Sequence, residues 1–143
     1  MTYAGDVFMA AGYSGLFITS PVGTNWTRRD PPVTRFLYDG AYFAGAYWIS
    51  GGGSNFYKTT DFIDWERVGH QGNESATVFV NTGEALFSAG RLGTLVKTTD
   101  GETWENQQGG LTKDFSDLLF AHGRFIASNH NGEIFVSEDG NDW

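Results

Sequence analysis

The chain has 143 residues, of which 40% are apolar and 16% aromatic, enough to bury the core of a single domain. Seventeen Asp and Glu against nine Lys and Arg give a net charge of −8, so nucleic acid and anionic membrane surfaces are not expected as partners. The absence of Cys excludes a disulfide-stapled scaffold, and no apolar run approaches the roughly 18 residues of a membrane span.

The sequence repeats with a period of 39 residues. Four of the five tryptophans mark this period, each 39 residues after the last: Trp26, Trp65, Trp104 and Trp143. We therefore predict a single repeat domain over residues 1–143, in four units: 1–39, 40–78, 79–117 and 118–143. The fourth unit is 13 residues shorter than the others, so its outer strand is expected to be missing.

Each unit predicts short strands joined by tight turns. The first unit opens on a β-prone run, Met1–Ala4. In the last unit, Leu118–Ala121 and Phe125–Ser128 flank a turn at Gly123, which is a hairpin signal, and Ile134–Val136 follows as a third strand. The polar segment after each of the first three repeating tryptophans predicts a fourth strand. No stretch carries apolar residues at the 3.6-residue period of a helix, so no helix is predicted.

A seven-residue box ends at each repeating tryptophan: SPVGTNW, TTDFIDW, TTDGETW and SEDGNDW. Its first column always carries a hydroxyl: Ser20, Thr59, Thr98 and Ser137. Its third column is Asp except for Val22 in the first unit, and its fourth is Gly except for Phe62 in the second. Asp accepts hydrogen bonds from backbone N–H groups two residues on and Gly takes a positive φ, so each box predicts a tight turn.

Four-stranded antiparallel units of about 40 residues are typical of β-propeller blades. The boxes resemble the Asp-box, or bacterial neuraminidase repeat, of sialidases, sortilin-type receptors, photosystem assembly factors and secreted or phage-encoded propellers. This version is one residue shorter, with Gly directly after Asp in the third and fourth copies. The resemblance covers the whole chain and implies an all-β propeller in which the box is a turn and its Trp packs between neighbouring sheets.

The resemblance implies a structural role, not a catalytic one, for the box residues: Ser20, Trp26, Thr59, Asp61, Trp65, Thr98, Asp100, Gly101, Trp104, Ser137, Asp139, Gly140 and Trp143. Three arrangements stay open: a fragment of a larger propeller, a four-bladed ring with one three-stranded blade, and a half-ring completed by homo-oligomerisation. A β-trefoil lectin has a similar repeat length, but a trefoil has three units and this chain has four boxes.

A sialidase-like hydrolase is the enzymatic alternative. That chemistry needs three convergent Arg residues, a Tyr–Glu nucleophile pair and an acidic general acid. No Arg here lies in the Phe-Arg-Ile-Pro type of motif that marks the family's first Arg. The three His residues, His70, His122 and His130, lack partners at metal-ligand spacing. We therefore expect a non-catalytic chain with neither a metal nor another cofactor.

Binding is the function that the architecture favours, through the loops between blades and those joining second to third strands. The content of these loops differs between copies, which a purely geometric turn would not require. The candidate contacts to a carbohydrate or a partner protein are Tyr13, Arg28, Arg29, Arg91 and His130. Because Asp-box proteins include phage-encoded and secreted propellers, a phage particle and the extracellular space are the locations that the resemblance suggests; the residues themselves leave localisation open.

Overall fold

The computed structural model describes residues 1–52, 55–69, 75–107 and 112–143. Across these residues the protein is all-β, with fifteen short strands in four antiparallel sheets. The chain forms two compact units, Met1–Gly69 and His70–Trp143, and each unit contains two sheets. We call the sheets blades 1 to 4 in chain order and describe each unit by itself. The assignment of the whole chain to a single repeat domain stays a prediction.

The first unit holds two four-stranded meanders, in which each strand pairs with the next along the chain. Blade 1 comprises β1 (Thr2–Ala4), β2 (Val7–Ala11), β3 (Phe17–Ser20) and β4 (Thr27–Arg29). Blade 2 comprises β5 (Leu37–Phe43), β6 (Ala46–Gly51), β7 (Asn55–Thr59) and β8 (Glu66–Gly69). The predicted antiparallel four-stranded unit is confirmed in both blades.

The second unit repeats this plan with one strand fewer. Blade 3 comprises β9 (Ala76–Asn81), β10 (Leu86–Gly90), β11 (Leu95–Thr98) and β12 (Glu105–Asn106). Blade 4 comprises β13 (Asp117–Ala121), β14 (Arg124–Ser128) and β15 (Ile134–Ser137). Within the described residues blade 4 has three strands, as its shorter repeat unit predicts.

The structure adds two details to the predicted units. Strands β5 and β9 begin at Leu37 and Ala76, three residues before positions 40 and 79, where the predicted second and third units begin. The early start of β5 has a physical reason, because the Leu37 N–H donates to the carbonyl of Gly12 and fixes the incoming chain. Where no helix was predicted, single 3-10 turns occupy Tyr13–Gly15 and Arg91–Gly93.

The predicted hairpin of the last unit is confirmed. Strands β13 and β14 pair in the register Phe120 opposite Phe125, around a two-residue turn. Both turn residues, His122 and Gly123, have positive φ values of 51° and 74°. Such a turn matches the right-handed twist of the flanking strands and holds the hairpin tightly.

The first junction, where blade 2 packs on blade 1, is an aromatic and aliphatic core. Met9 and Phe17 of blade 1 and Ile49 and Tyr57 of blade 2 are buried together. The Trp65 ring meets the Phe17 ring edge-on, with centroids 5.7 Å apart. Burying one large apolar side chain contributes roughly 1.5–3 kcal/mol, so this junction is a main source of stability in the first unit.

The second junction, where blade 4 packs on blade 3, uses the same columns of the repeat. Phe87 and Leu95 of blade 3 are buried against Phe125 and Ala127 of blade 4. The Phe87 and Phe125 rings are 4.8 Å apart and T-shaped. The two units therefore bury equivalent positions with different side chains, because the 39-residue period repeats the same columns at the junction within each unit.

Side chains of the box accept hydrogen bonds from the backbone of each box turn. Each first-column hydroxyl accepts a hydrogen bond from the fourth-column N–H at 2.8–2.9 Å. The fourth-column residues all have positive φ, between 62° and 82°, which Gly adopts freely and Phe62 adopts at a cost. In the second, third and fourth boxes one Asp oxygen accepts from the N–H groups two and three residues on, at 2.8–3.0 Å.

These hydrogen bonds lower the pKa values of the box carboxylates. The N–H groups of Thr103 and Glu102 hold the pKa of Asp100 down to about 2. The corresponding groups of Asp142 and Asn141 lower the pKa of Asp139 to about 2. The pKa of Asp61 is lowered for the same reason. A carboxylate that accepts backbone hydrogen bonds is stabilised in its charged form, so each turn is strongest when its Asp is ionised.

Candidate functional site

The loop between β2 and β3 of blade 1 is docked on the segment that leads into blade 2. Gly15 N–H donates to the Arg35 carbonyl at 2.6 Å, and Leu37 N–H donates to the Gly12 carbonyl at 2.9 Å. Gly15 has a φ of 70°, and a Cβ at this position would collide with the carbonyl oxygen of Val33. Only glycine lets the two chains approach so closely, and their approach sets the position of the side chains around them.

Three aromatic side chains emerge from this docked loop and the incoming segment. Tyr13, Phe36 and Tyr38 are 77%, 47% and 45% exposed. The Tyr13 and Phe36 rings are 5.0 Å apart and edge-on, and the Phe36 and Tyr38 rings are 6.4 Å apart. They line a cleft of about 430 Å³ together with Ala11, Gly12 and Leu37. We call this site the aromatic cleft.

The chemistry of the aromatic cleft suits a ligand with a flat apolar surface. Phe36 exposes a large apolar ring that is not buried in the core, and its neighbours Tyr13 and Tyr38 each add an apolar ring carrying a hydroxyl. Aromatic rings stack on apolar groups, while tyrosine hydroxyls hydrogen-bond at the same time. A concave, mainly apolar site with a few polar groups is the usual form of a binding site.

The second junction repeats the pair of backbone hydrogen bonds that docks the β2–β3 loop of blade 1. We call this pair of hydrogen bonds the frame, and the side chains around it differ between the two junctions. Gly93 N–H donates to the Lys113 carbonyl at 2.7 Å, and Phe115 N–H to the Gly90 carbonyl at 2.8 Å. In the positions of Tyr13, Phe36 and Tyr38, this junction has polar residues instead: Arg91, Asp114 and Ser116. Asp114 accepts a hydrogen bond from the N–H of Leu92 at 2.8 Å. The fold therefore builds the frame without requiring the aromatic side chains.

Tyr13 is one of the five predicted contact residues and lies in the aromatic cleft. Arg28 and Arg29, two others of the five, are not among the residues that line it. Arg28 is on the outermost strand β4 and forms an exposed ion pair with Asp30 at 3.5 Å. Arg29 donates from Nε to the Thr19 hydroxyl at 2.9 Å, and its guanidinium lies 5.1 Å from the centre of the Phe62 ring. These contacts tie Arg29 to the first junction, although its role in binding stays a prediction.

The other two predicted contacts lie in the second unit, on the loops equivalent to that of Tyr13. Arg91 is exposed in the loop of blade 3. His130 is exposed in the loop of blade 4, which is closed internally by a 2.6 Å hydrogen bond from the Asn129 amide to the Glu133 carboxylate. That hydrogen bond and the nearby Lys113 lower the pKa of Glu133. The assignment of Arg91 and His130 to a binding site stays a prediction.

The sequence reasoning missed Phe36 and Tyr38. Both fall in the segment between units, where the repeat columns are polar elsewhere: the equivalents of Phe36 are Ser75 and Asp114, and those of Tyr38 are Thr77 and Ser116. An aromatic residue found in one copy of a column and absent from the others is the signal that could have identified them. Their surface exposure could not be read from the sequence, because an isolated aromatic residue is more often buried.

Neither metal-ligand clusters nor spanning helices stand out in the part of the chain that the structure describes. Within residues 1–52, 55–69, 75–107 and 112–143, no three His, Asp or Glu side chains are grouped so that they could hold a metal ion. Over the same ranges, none of the helical segments reaches the length and apolarity needed to cross a bilayer. His70, one of the three His residues weighed as metal ligands, lies outside the described residues.

Comparison with known proteins places the chain by its fold. Neither a family model nor a curated protein sequence matches it significantly. It is similar to the solved structure of YCF48 bound to D1 peptide, with a TM-score of 0.65 and 18% identity, over 85% of this chain and 42% of that one. It is also similar to the computationally designed Ika4 protein, with a TM-score of 0.68 and 10% identity, over 94% and 89% of the two chains.

The chain thus spans about two fifths of the YCF48 chain that it resembles. At such low identities the likeness shows the fold and nothing finer. Together with the antiparallel sheets, it shows that the fold is a β-propeller assembled from four-stranded blades, the last of which has three strands in the residues described. The predicted fold class is confirmed.

Proposed function

We propose that the protein is a non-catalytic binding module that takes a segment of a partner protein into the aromatic cleft. The observation that carries the proposal is the exposure of Tyr13, Phe36 and Tyr38 on a frame that the second junction builds with polar residues in their three positions. A side chain that the fold does not need, and that costs solubility, is best explained by a ligand. The structure of YCF48 bound to D1 peptide supports a peptide-type ligand for this fold.

The partner segment that fits best is extended and rich in proline or aromatic side chains, because such groups stack on the exposed rings. With a net charge of −8, the protein would also attract a basic segment during encounter. Carbohydrate is the second candidate, because a pyranose ring has an apolar face that stacks on tyrosine and phenylalanine in the same way.

The test screens the full chain against a peptide array and a glycan array and titrates the strongest hit by calorimetry. Tyr13→Ala is expected to weaken binding at least about tenfold, or about 1.4 kcal/mol, through the loss of one stacking face. Ile63→Ala removes an exposed apolar side chain that does not line the cleft, so it is the control and should leave the affinity unchanged. Binding of glycans alone would favour the second candidate, and no binding on either array would contradict the proposal.

The absence of catalysis is part of the same proposal and has its own test. It is supported by the engagement of Arg28 with Asp30, of Arg29 with Thr19 and Phe62, and of Arg124 with Glu138 at 3.1 Å. A sialidase needs arginines that are free to converge on a substrate carboxylate. Hydrolysis of a fluorogenic sialoside that is abolished by Arg28→Ala or Arg91→Ala would establish the enzymatic alternative instead.

Two finer assignments complete the proposal. We infer that the chain is a short-box relative of the Asp-box propellers, and the hydroxyl and carboxylate caps of its box turns support this. We also propose that the chain completes its propeller by homo-oligomerisation or as part of a larger ring. Two exposed apolar residues support an assembly of this kind: Ile134 on strand β15, and Trp26 directly before strand β4.

A further inference from the structure

Blades pack in this protein through two distinct faces. We call the face of blades 1 and 3 that packs on the following blade the trailing face, and the face of blades 2 and 4 that packs on the preceding blade the leading face. The same names apply to the same repeat columns in every blade. At the first junction the trailing face of blade 1 supplies Met9 and Phe17, and the leading face of blade 2 supplies Ile49 and Tyr57. The second junction uses the same columns, so any further blade-to-blade contact of this fold is expected to use them too.

The trailing face of blade 4 is exposed although its residues are apolar. Ile134 occupies the column of Phe17 and Leu95, yet it is 64% exposed whereas they are 0% and 1% exposed. The same face continues through three further exposed side chains on paired strands: Leu119, Ile126 and Val136. A contiguous apolar patch on a sheet face marks an interaction surface.

The leading face of blade 1 is the other half of such a contact. Trp26 stands in the column of Trp65, which packs on Phe17 at the first junction, but Trp26 is itself exposed. Tyr3 is also exposed, and its ring lies 4.5 Å from the Phe8 ring on the same face. This face therefore presents aromatic residues in the columns that cover a trailing face elsewhere.

We propose that the trailing face of blade 4 docks on the leading face of blade 1 of a second copy of this chain. The inference rests on the homo-oligomer proposed above and names its surface. The second copy is the occupant that fits. It presents Trp26 in the column of Trp65 and Trp143, which pack on a trailing face at the two junctions. It also presents Tyr3 in the column of Phe120, which packs at the second junction. Each copy offers both faces, so the proposed pair contains two equal contacts.

The first measurement is the mass of the full chain in solution. Sedimentation equilibrium at about 50 μM, far above a micromolar dissociation constant, is expected to give twice the chain mass of 15.7 kDa. A mass of 15.7 kDa at this concentration would overturn the proposal. Ile134→Glu places a charge on the trailing face and is expected to return the mass to that of one chain. An undiminished mass for this variant would exclude the surface.

A mixing experiment tests the head-to-tail geometry. Tyr3→Lys disrupts the leading face, so each variant alone has lost both contacts of the pair. A mixture of Ile134→Glu and Tyr3→Lys leaves one native contact and is expected to regain twice the chain mass. Both sites are exposed, so circular dichroism should show both variants folded. A mixture of folded variants that stays at one chain mass would overturn the head-to-tail arrangement.

Two controls separate this inference from the binding function. Ile63 is an exposed apolar residue in the box turn of blade 2, on neither face, and Ile63→Glu should leave the mass unchanged. Tyr13→Ala should weaken binding of the array hit without changing the mass, whereas Ile134→Glu should change the mass alone. Failure of either proposal is thus visible without the other.

Discussion

The first and second junctions show what the fold demands and what it leaves free. Both dock a loop through the same pair of backbone hydrogen bonds, Gly15 to Arg35 and Leu37 to Gly12 in one, Gly93 to Lys113 and Phe115 to Gly90 in the other. The side chains around this frame are aromatic at the first junction and polar at the second. Backbone geometry repeats because packing requires it, and the side chains that diverge are the candidates for function.

The largest effect is expected from breaking the frame itself. Gly15→Ala should lower the free energy of unfolding by about 3 kcal/mol, because the added Cβ meets the Val33 carbonyl at a positive φ. Gly45→Ala is the matched control, since Gly45 has a φ of 78° with open space around its missing Cβ. Its cost should be only about 1 kcal/mol, from the backbone conformation alone. Urea unfolding measures both variants. An equal loss of unfolding free energy in the two would show that the close approach of Gly15 to the Val33 carbonyl does not matter for stability.

The second prediction concerns the core at the same two junctions. Phe62 has a positive φ, which is unfavourable for a residue with a side chain. Its ring packs on those of Tyr47 and Phe17, with centroids 4.3 Å and 6.3 Å away, whereas the equivalent Gly140 adds no side chain to its junction. Phe62→Gly should destabilise the protein by about 2 kcal/mol, because the lost aromatic packing outweighs the relieved strain. Urea unfolding measures this, and a stabilised variant would mean that strain dominates.

The third prediction copies the aromatic cleft onto the second junction. The triple variant Arg91→Tyr, Asp114→Phe and Ser116→Tyr should raise the stoichiometry for the cleft ligand from one to two per chain, because the backbone frame is already present. It should also cost about 1 kcal/mol of stability through loss of the Asp114 to Leu92 hydrogen bond. Calorimetry gives both the stoichiometry and the affinity. An unchanged stoichiometry in the folded variant would show that the aromatic trio is insufficient.

The smallest effect on stability is expected from lowering the pH. It distinguishes blade 1 from the others, because the box of blade 1 has Val22 in place of Asp. Asp100 and Asp139 have pKa values of about 2 in the folded protein, below their ordinary value of 3.8. Their stabilisation is therefore complete above about pH 4 and is lost as the pH falls through about 2. As the pH falls from about 4 to about 2, the double variant Asp100→Asn, Asp139→Asn should lose less free energy of unfolding than the original chain.

Val22→Asp should have the opposite effect, since it gives the first box the carboxylate that it lacks. The variant should be more stable than the original chain above pH 4 and should lose more stability on acidification. Unfolding curves at several pH values measure both effects. A pH dependence identical in all three proteins would show that the box carboxylates do not stabilise the turns.

Local chemistry explains why much of the fold could be predicted. The hydroxyl, Asp and Gly columns of the box act within four residues, and the structure confirms the turns that they predict, including the cap of Thr98 on Gly101. The hairpin around Gly123 is similarly local. The assignment of Arg29 as a binding residue had no such support, because its contacts to Thr19 and Phe62 come from distant parts of the sequence.

The sequence by itself determined the 39-residue period, the four antiparallel blades seen in the described residues and the turns, because these depend on the order of residue types along the chain. Only the tertiary structure decided which apolar residues are buried. Phe17 and Ile134 occupy the same column, yet one is packed under the next blade and the other faces outward. Phe36 and Tyr38 became a cleft with Tyr13 only when backbone hydrogen bonds brought two loops together. Exposure is a property of neighbours in space, which no local pattern encodes.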